Sequence, residues 1–72
     1  MTELRAEIAA NVWKVLVEPG QQVSADEELI ILESMKMEIP VVAPSAGKVA
    51  SVHVSEGAQV AENDLLVVLE AE

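Results

Sequence analysis

The chain has 72 residues, a formal net charge of −9 at pH 7, no cysteine and one aromatic residue, Trp13. Without cysteine there are no disulfides or thiolate metal ligands, and His53 alone cannot build a zinc site, so we expect no metal. Four Lys and Arg against 13 Asp and Glu argue against binding to nucleic acid or to an anionic membrane surface.

The first ten residues, MTELRAEIAA, mix charged and apolar side chains. They lack the apolar run of a secretory signal, and no later segment has the ~18 consecutive apolar residues of a membrane-spanning helix. We therefore expect a cytoplasmic protein with no membrane partner. Residues 3–10 are also the one stretch in which a helix would fit.

Residues 12–34 have the pattern of two short strands separated by turns. Val15 and Val17 alternate with residues that can face solvent, which is typical of a half-buried strand. Gly20 ends this run, because glycine adopts a positive φ at little cost, and Asp26 marks a second turn. The segment DEELIILES that follows predicts a short, largely buried strand.

The segment ESMKME, residues 33–38, places Lys36 between Met35 and Met37. Two interpretations stay open. On a strand the two methionines would share a face and fill the core, whereas on an exposed turn their adaptable side chains would serve recognition by partners. Ser-Met-Lys-Met contains none of the residues that usually mark a tight turn, so a turn here favours the second interpretation.

The rest of the chain repeats the first half at an offset of 37 positions. VWKVLVEPGQQVSADEELIILES lies over VASVHVSEGAQVAENDLLVVLEA, with Gly20 over Gly57 and Asp26 over Asn63. We predict two copies of one unit, about residues 2–35 and 39–72, joined at the Lys36 turn.

The two copies together predict one small all-β domain over residues 1–72, with an aliphatic core. We expect about eight short antiparallel strands in two four-stranded sheets, related by a pseudo-twofold axis as a flattened barrel or sandwich. Pro40 and Pro44 argue against a helix through the middle, and Pro40 should lie on an edge strand or at a strand start.

ESMKME, preceded by LIIL and followed by IPVVAPSAGKV, resembles the biotin attachment motif of biotinyl domains. The resemblance covers nearly the whole chain and implies the duplicated hammerhead fold that biotinyl and lipoyl domains share, here without an insertion long enough for a thumb. It implies that Lys36 accepts biotin through its ε-nitrogen from a biotin protein ligase. It also implies that Met35 and Met37 are recognised by partner enzymes and that Glu33 helps the ligase to discriminate.

By the same resemblance the protein is a free-standing, non-catalytic carrier of biotin. A biotin carboxylase would load the cofactor with carboxylate, and a carboxyltransferase would pass it to an acyl-CoA-type acceptor. A lysine amine is protonated at neutral pH and is a poor nucleophile, so an external ligase is required.

Two alternatives remain open for the function. A lipoyl carrier of a 2-oxoacid dehydrogenase or glycine cleavage system would have the same fold, and one lysine could also accept both cofactors. Lipoyl domains usually have a non-Met residue before the lysine and a small residue after it, so Met35 and Met37 favour biotin over lipoate. The second alternative is an unmodified interaction barrel.

Overall fold

The computed structural model describes residues 1–71, with side chains for residues 1–70. The predicted all-β class with two four-stranded antiparallel sheets is confirmed. The strands are β1 (Thr2–Arg5), β2 (Ala10–Val15), β3 (Gln22–Val23), β4 (Glu28–Ser34), β5 (Met37–Val42), β6 (Gly47–Val52), β7 (Gln59–Val60) and β8 (Leu65–Ala71). The predicted domain and its second repeat end at Glu72, which lies outside the described residues.

Each sheet combines strands from both halves of the chain. One sheet has the order β1-β8-β6-β3 and the other the order β5-β4-β2-β7. The short strand of each half therefore pairs with a long strand of the other half, β3 with β6 and β7 with β2. Neither half can complete a sheet without the other.

The strand pairings repeat at the same offset of 37 positions as the sequence. Leu32 lies opposite Ile39, and 37 positions away Leu69 lies opposite Thr2. The backbone bonds at the turns repeat as well: the N–H of Asp26 donates to Ala43 at 2.8 Å, and that of Asn63 donates to Ala6 at 2.7 Å. The four strands of each half thus form one repeated arrangement.

Glycine and Asx residues lie at four of the turns, as predicted. Gly20 and Gly57 have φ angles of 91° and 89°, and Asp26 and Asn63 have φ angles of 67° and 74°. All four are in the left-handed region, which costs glycine and Asx residues less conformational energy than it costs other residues.

Two leucines anchor the core at equivalent bulges. Leu29 in β4 and Leu66 in β8 lie where the register with an edge strand shifts. Their carbonyls accept hydrogen bonds from the N–H groups of Leu16 and His53, at 2.9 and 2.8 Å, and both leucines are 0% exposed. The bulges therefore re-aim these side chains inward without leaving the carbonyls unpaired.

The core is aliphatic, as predicted, and none of the buried side chains among residues 1–70 is polar or charged. Trp13 is 45% exposed and does not belong to it. The buried core residues are Ala6, Val12, Val17, Val23, Leu29, Ile30, Leu32, Ala43, Val49, Val60, Leu66, Val67 and Leu69.

The helix that would fit residues 3–10 does not form. Residues 2–5 form β1, in which half-buried Leu4 alternates with exposed Glu3 and Arg5. These two charged side chains share a face and form an ion pair, with 2.7 Å between Arg5 Nη2 and Glu3 Oε1. In β1 the backbone groups form hydrogen bonds with β8. A helix of this length would be only marginally stable by itself, so the strand is favoured.

Pro40 lies in β5, which is an edge strand, so the prediction for this residue is confirmed. An edge strand tolerates proline because one side of the strand needs no donor for a neighbouring strand. Nowhere in residues 1–71 is there a helix of the length and hydropathy needed to cross a membrane.

Replacing a core leucine should cost a large part of the stability. We expect Leu66→Ala to lower the free energy of unfolding by about 3 kcal/mol, since a fully buried leucine leaves a cavity. Leu29→Ala should cost about the same. Leu16→Ala is the control, because Leu16 is 46% exposed and its loss should change stability by less than about 0.5 kcal/mol. Urea unfolding measures all three, and equal costs for Leu66→Ala and Leu16→Ala would contradict this account of the core.

Candidate functional site

The hairpin between β4 and β5 closes with a two-residue loop. Ser34 lies opposite Met37, which leaves Met35 and Lys36 at the tip. Their φ angles are 53° and 65°, so both residues are left-handed. Positive φ at both central residues is the backbone of the tight hairpin turn whose twist matches the flanking strands.

This turn uses residues that are unsuited to it. Of the described non-glycine residues with positive φ, Asp26 and Asn63 have short polar side chains that tolerate the left-handed region, whereas Met35 and Lys36 do not. The left-handed conformation costs roughly 1–2 kcal/mol for such a residue. Backbone strain of this kind persists where the surroundings impose it, and it is concentrated at functional sites.

The side chains of the turn point into solvent. Met35 is 93% exposed and Met37 is 63% exposed, and Lys36 is also exposed. The interpretation of the methionines as core residues is therefore wrong. Met35 lies beyond the last residue of β4, so the two methionines do not occupy alternate positions of one strand.

Glu33 is exposed at the base of the hairpin and lies directly opposite Glu38. On its other side it faces Asn11 of β2. Like charges directly opposite on neighbouring strands are unfavourable, and within residues 1–71 neither carboxylate has an ion-pair partner. The base of the turn thus adds two negative charges near the lysine.

Glu38 was missed by sequence reasoning. A two-residue loop at Met35 and Lys36 pairs residue 34 with 37 and therefore 33 with 38, so the loop length would have indicated it. The loop contains no turn-forming residue, and for that reason the sequence does not reveal its length.

A cleft of about 360 Å³ borders the hairpin on the side of β2 and β7. Met35 lines it together with Glu33 and Ser34, and Lys36 does not. The remaining lining residues are Ala9, Ala10, Asn11, Gln59 and Val60. The lysine is therefore presented outward from the domain rather than into a cleft.

The other residues considered for chemistry lie away from the hairpin. His53 is exposed and follows β6 in the other sheet, with its Nε2 2.8 Å from Ser51 Oγ. Among the residues that the structure describes, no three His, Asp or Glu side chains come together as a metal site. The hairpin thus offers an accessible amine between two thioethers and above two carboxylates.

Comparison with known proteins identifies the family. A family model described as "Biotin-requiring enzyme" matches residues 3–69. The chain is 48% identical over 67 residues to the biotinylated protein TB7.3 homolog of Mycobacterium leprae, covering 93% of this chain and 94% of that one. It is 49% identical over 63 residues to the biotin/lipoyl attachment protein of Bacillus subtilis, covering 88% and 86%.

The fold is similar to part of a single-chain, multi-domain long-chain acyl-CoA carboxylase. The TM-score is 0.92 and the identity 35%, over 99% of this chain and 7% of that one. The protein belongs to the biotin/lipoyl attachment family.

A sequence designed for this turn should be more stable than the natural one. We expect Met35→Asn with Lys36→Gly to raise the free energy of unfolding by about 1 kcal/mol, because Asn-Gly adopts the double left-handed turn without strain. Urea unfolding of the purified double variant measures this.

Lys48→Gly is the matched control, because Lys48 lies in β6 and is not among the residues with positive φ. It should lower stability by about 0.5–1 kcal/mol. A double variant less stable than the natural protein would show that the turn is not strained.

Proposed function

We propose that the protein is a biotin carrier in which Lys36 is the attachment residue. The observation that carries this proposal is the exposed, strained turn that presents Lys36 between two exposed methionines. In this proposal residues 1–72 are a single attachment domain of two repeats, about 2–35 and 39–72, joined at that turn. The barrel itself is non-catalytic and works in the cytoplasm.

The positions of the other lysines support the choice of Lys36. Lys14 lies in β2, opposite Ile31, with its Nζ 5.7 Å from the centre of the Trp13 ring. Lys48 lies in β6 between two neighbouring strands. Both are held on a strand within a sheet, whereas a turn lets a ligase reach the amine from several sides.

Biotin is favoured over lipoate by the relatives and by the residues around the lysine. The Mycobacterium leprae relative is named as biotinylated, and the structural relative is a carboxylase. Met35 and Met37 fit the biotin attachment motif. A lipoyl carrier is the second candidate, because the name of the Bacillus subtilis relative includes both cofactors.

Attachment and recognition involve different residues of the hairpin. The Nζ of Lys36 forms an amide with the carboxyl group of biotin, after a biotin protein ligase has activated that carboxyl group. Met35 and Met37 provide an adaptable apolar grip for partner enzymes. Glu33 helps the ligase to select this turn.

The loaded carrier serves two enzymes. Attached biotin supplies the carboxylate-carrying ring, which a biotin carboxylase loads and a carboxyltransferase of the acyl-CoA type unloads. The domain contributes the tether, which raises the local concentration of the cofactor to roughly millimolar at each site. No catalytic group of the barrel is needed for this role.

Replacing the lysine should abolish attachment without unfolding the protein. We expect the natural protein from its own host to contain a biotin adduct on the peptide with Lys36, and Lys36→Arg to lack it. Arginine retains the positive charge but cannot form this amide. Intact mass and peptide mapping measure the adduct, with Lys14→Arg and Lys48→Arg as controls that keep it.

The same measurement separates the candidate functions. A lipoyl mass on Lys36 would move the assignment to the second candidate. An unmodified protein in the native host would contradict both carrier functions and leave an interaction barrel.

A further inference from the structure

The oxidisable sulfur of this chain is concentrated at the proposed attachment site. The sequence has no cysteine and three methionines, and two of the three flank Lys36. Met35 is 93% exposed, Met37 63% and Met1 84%, and none of the buried core residues is a methionine. All three thioethers are therefore accessible to small oxidants, and their oxidation need not disturb the core.

We propose that Met35 and Met37 are an oxidation-sensitive modification site that controls the loading of Lys36. The proposal rests on the biotin-carrier function proposed above. Oxidation of the two thioethers to sulfoxides would make the apolar surface beside Lys36 polar. The ligase would then bind this surface more weakly and attach biotin more slowly. Reduction of the sulfoxides would restore loading.

The chemistry uses a hydroperoxide as oxidant. The thioether sulfur takes one oxygen as the O–O bond breaks, and the other oxygen leaves as water or an alcohol. The sulfur loses two electrons and the peroxide gains them. Methionine sulfoxide reductases reverse the step with two thiols, which become a disulfide while the oxygen leaves as water.

The two sulfoxides should affect recognition far more than stability. Oxidation of a buried methionine disrupts a core, but both of these side chains are exposed. A ligase that covers the turn must remove water from them, and a sulfoxide without a partner is costly to desolvate. We therefore expect oxidation to lower kcat/KM for biotin attachment by roughly tenfold.

The two methionines should differ in rate. Met35 is at the tip of the turn and is almost fully exposed, whereas Met37 is the first residue of β5 and is partly covered. We expect Met35 to be oxidised before Met37 as the peroxide dose rises.

The test begins with the unmodified protein. It is treated with increasing hydrogen peroxide, and peptide mapping measures oxygen on Met1, Met35, Met37 and Trp13. Each sample is then incubated with biotin, ATP and a purified biotin protein ligase, and intact mass follows the adduct on Lys36. We expect loading to fall roughly tenfold as Met35 and Met37 are oxidised. The Tm should stay unchanged, and the two stereospecific reductases together should restore loading.

Leucine variants locate the effect. Met35→Leu with Met37→Leu removes both oxidisable sulfurs of the turn. With its own untreated loading rate as the reference, this variant should show no loss of loading after peroxide treatment. Met1→Leu is the matched control, and its loading should remain as sensitive to peroxide as that of the natural protein. Met1 is exposed, but it precedes β1, an edge strand of the sheet that does not contain the hairpin.

Three results would overturn the proposal: an unchanged loading rate after oxidation of both methionines, unreactive Met35 and Met37 at doses that oxidise Met1, or a double leucine variant that remains sensitive. Failure of the untreated protein to accept biotin would instead overturn the proposed function, and this is measured before peroxide is added.

Discussion

The exchange of short strands between the two halves is the constraint on which the rest of the structure depends. The N–H of Gly20 donates to Val49 at 2.7 Å, and in the other half the N–H of Gly57 donates to Val12 at 2.8 Å. These bonds bring β3 against β6 and β7 against β2, so that each sheet is completed by the opposite half. A 72-residue chain without cysteine has no disulfides to stabilise it, so it depends on burying its aliphatic side chains between two such sheets, because neither half has enough apolar surface alone.

The packing of the two sheets explains how the unfavourable turn at Met35 and Lys36 can persist. Leu32 of β4 is buried, and it lies opposite Ile39 of β5, which packs against the core. Their burial fixes the register of the hairpin, since a shift by one residue would turn these side chains to the opposite face. Once the register is fixed, only two residues are left to close the loop, and the tight turn that they form here has positive φ at both. Packing beneath the hairpin therefore offsets the strain of Met35 and Lys36 at its tip.

The repeated sequence predicted most of the fold. Matching glycines and Asx residues indicated the turns, and the proline at position 40 indicated an edge strand. A helix near residues 3–10 stayed possible from sequence because β1 is only four residues long and because its partner, β8, lies at the other end of the chain. Local composition contains no information about such a distant pairing. The left-handed backbone of Met35 and Lys36 was not predictable from turn propensities. Without knowing that these two residues form the whole loop, one could not infer that Glu33 lies opposite Glu38.

The duplication also separates what the fold requires from what the site requires. Leu29 and Leu66 have the same burial, the same bulge and the same carbonyl bond, so their identity follows from packing. In the proposed division into two repeats, Lys36 lies at the joint and has no equivalent in the other half. At that joint the fold dictates a two-residue turn but does not favour the side chains that occupy it. Met35 and Lys36 are poorly suited to their left-handed backbone and lie outside the core. This supports the proposal that their side chains serve contacts with other molecules. An amine between two thioethers is such a set, and enzymes that approach from solvent can reach all three side chains at once.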